Sequence, residues 1–235
     1  TCNEMTVQRV VCAALVVDVS GAGYAPEGAF HVGGRPAEGG APAPLVDAAR
    51  AALLCSDATL RHADGAWLLD GDPTEGALVT LAMKAGLDPA AERAAQPRSD
   101  AIPFESEHRF MATLHHDHAG GARVFVKGAP ERILAMCAWQ SGPGGSRVPL
   151  DPDFWRRAAN DCAARALRVL AIAVREVPPA QRALAFDDVE QGLTLLALVG
   201  SLDPPREEAR AAVADCHAAG IRVKMITGDH KATAA

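Results

Sequence analysis

The feature that most constrains the fold is a nearly all-apolar run near the end of the chain, "LTLLALVGSLD" (193–203). Strands that are buried on both faces lack the polar alternation of half-exposed strands, so this run predicts a strand of a parallel sheet. A helical segment comes next and stops at Gly220, and a second apolar run, "IRVKMIT" (221–227), lies beyond it. This order predicts one right-handed βαβ unit and the beginning of an open α/β domain.

The chain before residue 193 has the pattern of an α+β domain of roughly 180 residues. Segments with helical periodicity are expected at 45–58, from Asp72 to about Gly86, at 131–139 and at about 153–166. Runs rich in β-branched residues predict strands at 5–20 and 168–176, a short one near 30–32 within the Gly/Pro-rich loop 20–44, and a hairpin at 110–127 with the turn "DHAGG".

Composition excludes several classes of protein. The 235 residues carry a net charge of −6, which argues against a nucleic-acid partner because phosphate backbones require clustered Lys and Arg. No apolar segment approaches the ~20 residues of a membrane-spanning helix, and no signal-peptide pattern is seen. The cysteines form no CxxC pair, which favours buried, reduced thiols and a reducing compartment. They are Cys2, Cys12, Cys55, Cys137, Cys162 and Cys216.

The stretch "WLLDGDPTEGAL" (67–78) has two interpretations. Asp72 as N-cap, Pro73 at the first helical position and Glu75 three residues after the N-cap form a helix start with a capping box. Alternatively, the stretch imitates the D-x-D-x-T of haloacid-dehalogenase-type phosphatases, with Asp70 or Asp72 attacking phosphate. That mechanism also needs a Ser or Thr, a Lys and a final acidic pair. Only Thr227 could contribute, so the nucleophile interpretation is rejected.

Three further features are candidates for a site. Lys127 ends an apolar run directly before a Gly-Ala-Pro break, where it is either a solvated strand end or a ligand of an anion. Phe104 precedes a charged turn and either packs in the core or leaves a face for a base to stack on. The histidines at 115, 116 and 118 invite a metal interpretation, but adjacent strand residues point to opposite faces, so no metal site is predicted.

Taken together, the motifs resemble the cytoplasmic ATP-binding region of P-type cation-transporting ATPases, in the calcium- and sodium/potassium-pump-like class and its bacterial form. They occur in the family's order and spacing, and they cover essentially the whole chain. They are "GDPTEGAL", "IPFESEHRFMAT", "FVKGAPERIL", "ALRVLAIAVRE", "SLDPPREEA" and "IRVKMITGDHKATA". The opening "TCNEMTV" resembles the residues directly after the family's D-K-T-G-T phosphorylation motif, so we expect the sequence to begin just past the phosphorylated aspartate.

The resemblance implies a nucleotide-binding domain inserted into a phosphorylation domain. Residues 1–10 would be an N-terminal strip of the phosphorylation domain and 11–199 the nucleotide-binding domain, an antiparallel sheet flanked by helices. Residues 200–235 would be a partial Rossmann-like segment of the phosphorylation domain, related to the dehalogenase phosphatases. The family also implies a cytoplasmic domain of an integral membrane protein, with ATP or ADP as ligand and Mg²⁺ in the intact pump. The expected partners are the rest of the phosphorylation domain, the actuator domain and the membrane helices.

The resemblance also assigns roles to individual residues. Phe104 would stack on adenine, Glu75 would accept from its amino group, and Lys127 and Gly128 would line the adenine and ribose pocket. Arg109, where many relatives carry Lys, and Arg168 would face the phosphates. In the second domain, Asp203 and Arg206 would meet the phosphate end of the nucleotide, and the loop Thr227, Gly228 and Asp229 would hold the transferred phosphoryl group.

Three classes of function are compatible with the sequence. The favoured one is an ATP-binding module without catalytic activity of its own, because the family's phosphorylated Asp and its Mg²⁺-binding "GDGxNDxP" stretch are not in this sequence. The second is a soluble dehalogenase-type phosphatase. The third is an interaction domain that retains the fold without binding nucleotide, against which Glu75, Phe104 and Lys127 argue.

Overall fold

The architecture is a large sheet with helices on both faces. The computed structural model describes residues 4–13, 15–203 and 207–224, with side chains in the last range described from 211 onward. Eleven strands of these described residues form the main sheet, and β5 and β6 form a separate hairpin. The strands are β1 (Thr6–Cys12), β2 (Leu15–Val19), β3 (Phe30–Val32), β4 (Arg35–Pro36), β5 (Thr59–Ala63), β6 (Ala66–Asp70), β7 (Arg98–Glu105), β8 (Phe110–His116), β9 (Ala122–Gly128), β10 (Cys137–Ser141), β11 (Arg147–Pro149), β12 (Arg168–Val177) and β13 (Leu193–Leu202).

The helices of the described residues begin largely where the sequence predicts. They are α1 (Ala43–Leu54), α2 (Pro73–Lys84), α3 (Pro89–Ala95), α4 (Pro130–Met136), α5 (Pro152–Ala163) and α6 (Glu207–Ala218). The carboxylates of Asp72, Asp88 and Asp151 cap α2, α3 and α5, each just before a proline in the first turn. The helix predicted over 131–139 is too long. It ends at Met136 because the next residues form β10, which pairs with β11 and β13.

The prediction for "LTLLALVGSLD" is wrong in one respect. This run forms β13, a central strand as expected, but it pairs antiparallel with β1 and β12 and parallel only with the short β10. Neighbouring strands in the main sheet follow the order β4-β3-β2-β1-β13-β12-β9-β8-β7, and β10 and β11 lie off this path. The largely antiparallel sheet flanked by helices is confirmed, and β1 and β13 both belong to it. The proposed boundaries at residues 10 and 200 stay predictions.

The core has two layers, one on each face of the sheet. On one face α1 and α2 bury side chains against β1, β9 and β12, with Leu45, Leu54 and Leu78 almost fully enclosed. On the other face α4 and α5 pack over β12 and β13, where Trp155 is fully buried and donates its indole N–H to Gln140 Oε1 at 2.8 Å. Helices on both faces explain why β13 has no polar alternation.

The cysteines described are free thiols, as the sequence predicts. Cys12, Cys55 and Cys162 are buried, and Cys137 and Cys216 are partly buried. Burial raises the pKa of the Cys12 thiol to about 12, with a smaller contribution from Asp47. Cys2 lies outside the described residues.

The C-terminal part of the described chain is exposed. Almost every described side chain from 211 to 224 is accessible, including Val213 and Ile221. Residues 221–224 form no strand, in contrast to the strand predicted over 221–227, whose last three residues lie outside the described part. No helix within the described ranges is long and apolar enough to cross a membrane.

His115 is a buried histidine near the end of β8, close to the turn of the β8–β9 hairpin. Its Nδ1 lies 2.8 Å from the carbonyl oxygen of Gln96, and its Nε2 has no hydrogen-bond partner among the residues that the structure describes. Burial, with smaller effects of the nearby Arg98 and His116, lowers the pKa of His115 to about 4, whereas the hydrogen bond with the Gln96 carbonyl opposes the shift. The imidazole is therefore neutral in the folded protein at neutral pH.

This pKa predicts a loss of stability in acid. His115 binds a proton near pH 6.5 in the unfolded chain but only near pH 4 in the folded protein. Its contribution to the free energy of unfolding is therefore fully present above pH 6.5 and is lost as the pH falls towards 4. Over that window we expect a loss of about 3 kcal/mol in the free energy of unfolding. Urea titrations at several pH values should show that His115→Gln removes this component. His118→Gln, in the exposed turn, should retain it, and an unchanged pH dependence in His115→Gln would contradict the assignment.

Candidate functional site

Several predicted site residues line one cleft, on the α1 and α2 side of the sheet. The cleft has a volume of about 390 Å³, within the range of about 300–1,000 Å³ common for small-molecule sites. It is formed by the starts of α2 and β12 and the ends of β7 and β9. The lining residues are Asp72, Thr74, Glu75, Phe104, Lys127, Gly128, Arg168 and Leu170.

Lys127 is an internal residue of this cleft, not a solvated strand end. It is 6% exposed, and its Nζ lies 2.5 Å from Glu75 Oε1. The same ammonium donates to the carbonyl oxygen of Cys55 and lies 3.3 Å from both Ser56 Oγ and Met111 Sδ. A buried ammonium needs such partners, because desolvation of an unpaired charge is costly. The end of β9 is therefore tied to the end of α1 and the start of α2.

Both carboxylate oxygens of Glu75 accept hydrogen bonds from the protein. Its Oε1 accepts from Lys127, and its Oε2 accepts from the backbone amides of Asp57 and Ala58 at 2.8 and 2.9 Å. The capping-box prediction is thus half right. Asp72 accepts from the amides of Thr74 and Glu75, but the Glu75 side chain turns away from the N-cap towards Lys127. A carboxylate has about four acceptor positions, so one remains available in the cleft.

Phe104 is placed by a bulge in the edge strand of the sheet. In the β7–β8 pairing, Ile102 faces Ala112 and Glu105 faces Phe110, so Pro103 and Phe104 together oppose one residue of β8. Such bulges redirect side chains. The Phe104 side chain is consequently 58% exposed at the cleft, and its core-packing interpretation is wrong.

Gly128 is required by the close approach of the neighbouring strand. A Cβ at this position would collide with the carbonyl oxygen of Arg109 and with Cα and Cβ of Phe110. The glycine therefore has a structural reason that is independent of any ligand. Its backbone forms the wall of the cleft next to Lys127.

Arg168 is the exposed cation of the cleft. It begins β12, where it faces Ser201 of β13. Its Nη1 lies 3.8 Å from Met5 Sδ, and no salt bridge to it is found in the part of the chain that is described. This guanidinium is available to an anionic group at the open end of the cleft.

The other predicted site residues do not line this cleft or lie outside the described residues. Arg109 forms an exposed ion pair with Glu131 at 2.7 Å and is not among the residues that line the cleft. Asp203 lies near Tyr24, whose pKa is raised to about 12 by burial together with the smaller effects of Glu4, Asp203 and Asp72. Arg206, Thr227, Gly228 and Asp229 lie outside the described residues.

Sequence reasoning missed two lining residues and the surroundings of Lys127. Thr74 lies in the motif "GDPTEGAL" and Leu170 in "ALRVLAIAVRE", but nothing in their residue types indicated that they would line a site. The carbonyl of Cys55 and the hydroxyl of Ser56 come just after α1, 72 and 71 positions before Lys127. The unpaired carbonyls at the end of a helix were the available signal, since they seek donors.

The three histidines of the hairpin do not converge. His115 is buried under α1, whereas the ring of His116 contacts Ser99 Oγ and Arg182 Nη1. His118 Nε2 lies 3.1 Å from the carbonyl oxygen of Ala94. Each ring has a local structural partner.

The fold is a mostly antiparallel sheet with helices on both faces, and the sequence comparison identifies its family. Residues 44–208 match the family described as "P-type ATPase, cytoplasmic domain N", and the chain belongs to this family.

Similar proteins carry names of the same class. The chain is 44% identical over 237 residues to the cation-transporting ATPase pma1 of Synechocystis sp., covering 99% of this chain and 26% of that protein. It is 39% identical over 233 residues to the probable cation-transporting ATPase F of Mycobacterium tuberculosis, covering 99% and 26%. It is 33% identical over 239 residues to the calcium-transporting ATPase of Bacillus subtilis, covering 100% and 26%. The chain thus spans about a quarter of the length of these relatives.

The buried ion pair predicts a large effect of removing one partner. Lys127→Met should lower the free energy of unfolding by about 3 kcal/mol, because the buried carboxylate of Glu75 loses its counter-ion. Arg156→Met is the matched control, since the Arg156–Asp153 pair is exposed and should contribute less than about 1 kcal/mol. The measurement is urea unfolding followed by circular dichroism. Equal effects of the two substitutions would show that the Lys127–Glu75 contact adds little.

Proposed function

We propose that this chain is the ATP-binding part of a cation-transporting P-type ATPase, where it presents ATP to a phosphorylatable aspartate of the parent pump. The observation that supports this most is the cleft, which combines an exposed aromatic face, a buried ion pair and an exposed guanidinium within about 390 Å³. The family and the names of the similar proteins support the same assignment.

The cleft residues fit an adenine nucleotide by their chemistry. Phe104 offers an exposed ring at the cleft, and base–aromatic stacking contributes about 1–3 kcal/mol. The remaining acceptor position of Glu75 suits the amino group of adenine, and Lys127 holds that carboxylate in place. Gly128 keeps the wall beside the base free of a side chain.

The phosphates would extend towards Arg168. Guanidinium groups bind phosphate oxygens through charge-assisted hydrogen bonds, often in pairs. We further propose that Arg109 exchanges its exposed partner Glu131 for a phosphate, since such a surface pair contributes little. Mg²⁺ would accompany ATP in the intact pump.

The remaining residues are assigned to transfer of the phosphoryl group in the parent protein. Asp203 and Arg206 would meet the phosphate end of the nucleotide, and Thr227, Gly228 and Asp229 would hold the transferred group. These roles require the rest of the phosphorylation domain, with the actuator domain and membrane helices as further partners. The boundaries at residues 10 and 200 belong to the same proposal.

The two alternative functions have less support. Asp72 is engaged by the amides of Thr74 and Glu75, as a helix N-cap requires, which argues against its use as a phosphatase nucleophile. An interaction domain without nucleotide gives no reason for the exposed Phe104 to share a concave cleft with the buried Lys127–Glu75 pair.

Nucleotide titrations test the site. We expect ATP and ADP to bind with similar dissociation constants of about 0.1 to a few mM, since the third phosphate would find few partners on this chain. Phe104→Ala should weaken binding at least about tenfold, whereas Phe104→Trp should bind comparably and His118→Ala should bind like the parent chain. Amide NMR shifts should centre on Lys127. If Phe104→Ala binds ATP as well as the parent, or the shifts centre on the 115–118 turn, the site is wrongly placed.

Catalysis by the isolated chain is a separate expectation. We predict no ATP hydrolysis above background and no acid-stable phosphoenzyme, because the family's D-K-T-G-T aspartate does not occur in these residues. Incubation with γ-labelled ATP followed by acid precipitation measures this directly. Label on any aspartate of the chain would refute the prediction.

A further inference from the structure

The turn between β7 and β8 is supported from behind by a side chain that no sequence motif singles out. Phe186 lies in the short 3-10 turn Phe186–Asp188, and its ring centroid is 4.6 Å from that of His108 and 6.1 Å from that of Phe110, edge-on to the latter. Phe110 belongs to the core layer under α4, on the face of the sheet opposite the cleft. Phe186 therefore contacts the back of the turn whose front carries Phe104.

Phe186 is held by a connection that is fastened along β7 and β8. We name residues 178–192, which join β12 to β13, the strap. Arg182 Nη1 contacts His116 Nε2, and the amide of Leu184 donates to Asp100 Oδ2 at 2.8 Å. Near its end, the carbonyl oxygen of Asp188 accepts from Arg175 Nη1 at 2.6 Å. The strap thus runs along the hairpin from its far end to the turn at 105–109.

The turn lies at a weakly restrained edge of the sheet, although the Arg109–Glu131 ion pair and the hydrogen bond from the amide of Ala129 to the carbonyl oxygen of Arg109 hold its last residue. β7 is the last strand of the sheet, so only β8 pairs with it among the described strands, and the bulge leaves Pro103 and Phe104 out of register. Arg109 has a φ of +58°, a conformation unfavourable for a residue with a side chain. Within the turn, the amides of His108 and Arg109 both donate to the carbonyl oxygen of Glu105.

The Phe186 side chain packs mainly against the 105–109 turn and less against the core. Phe186 is 43% exposed, so burial of its ring is incomplete. Its closest aromatic partner is His108 of the turn, and the face of Phe110 also receives the guanidinium of Arg132 at 5.5 Å. Loss of the Phe186 ring would remove the closest aromatic contact of His108 and leave Phe110, 6.3 Å away, as its remaining aromatic neighbour among the described residues.

We propose that Phe186 is a positioning residue of the nucleotide site: by packing against His108 and Phe110, it fixes the 105–109 turn and so orients Phe104 for stacking on the base. The proposal rests on the proposed function, because it concerns the same cleft. It assigns part of the nucleotide affinity to a strap on the opposite face of the sheet.

A double-mutant cycle with Phe104 tests this role. Phe186→Ala should weaken ATP binding about two- to tenfold, the range expected for loss of an aromatic pair, whereas Phe186→Tyr should restore it. In the Phe104→Ala background, Phe186→Ala should have little further effect, because its action passes through Phe104. Phe154→Ala is the matched control: this aromatic packs edge-on against Trp155 in α5, so its loss should lower the melting temperature but leave affinity unchanged.

The outcomes separate the two proposals. If Phe104→Ala binds ATP like the parent chain, the cleft assignment and this inference both fail. If Phe104→Ala weakens binding but Phe186→Ala does not, or if the two effects multiply in the double variant, only the positioning role is overturned. Affinity is measured well below the melting temperature of each variant. Should Phe186→Ala not fold, Phe186→Leu keeps the apolar volume without the ring and should show the same non-additive weakening.

Discussion

The contact between Lys127 and Glu75 is the interaction on which the cleft depends, because it joins three parts of the chain that are distant in sequence. The ammonium at the end of β9 meets a carboxylate from the first turn of α2 and a carbonyl at the end of α1. Each partner would otherwise be a polar group with too few hydrogen bonds in a nearly water-free place. The pair therefore fixes the relative position of two helices and a strand and forms the inner end of the cleft.

The outer end is built differently, from an edge strand that the sheet alone does not hold firmly. A residue on a central strand has two neighbouring strands, whereas Phe104 has one neighbour in the described sheet and lies in a bulge. An exposed ring at such a position reaches further from the sheet but is less well defined, since fewer backbone hydrogen bonds restrict it. The attachments of the strap along β7 and β8 supply restraint from the other face.

Local chemistry explains what the sequence predicted well. Asp72 followed by Pro73 marks a helix start by capping and fixed φ, and "DHAGG" marks a hairpin turn, so both elements lie where expected. The cleft residues were predicted from motifs, and the structure brings Glu75, Phe104, Lys127 and Arg168 together. These signals lie within a few residues of the feature that they determine.

Pairing between distant segments explains what was missed. An all-apolar strand such as β13 shows that both faces are covered but carries no information on the direction of its neighbours. Helical periodicity at 131–139 could not reveal that the residues after Met136 pair with strands that occur later in the chain. Likewise, nothing near Glu75 indicated that its carboxylate would turn to a lysine 52 positions away instead of completing a capping box.

The distribution of charge along the cleft gives a physical reason for the direction in which a nucleotide would lie. Lys127 and Glu75 neutralise each other at the inner end, and Phe104 and Leu170 add apolar surface along the cleft, so the part next to the ion pair suits an uncharged base. Arg168 at the open end has no carboxylate partner among the described residues, in a chain whose net charge is −6. A phosphate placed at the inner end would meet the Glu75 carboxylate, whereas one at the open end meets a cation. Base inward and phosphates outward is therefore the orientation that the electrostatics favour.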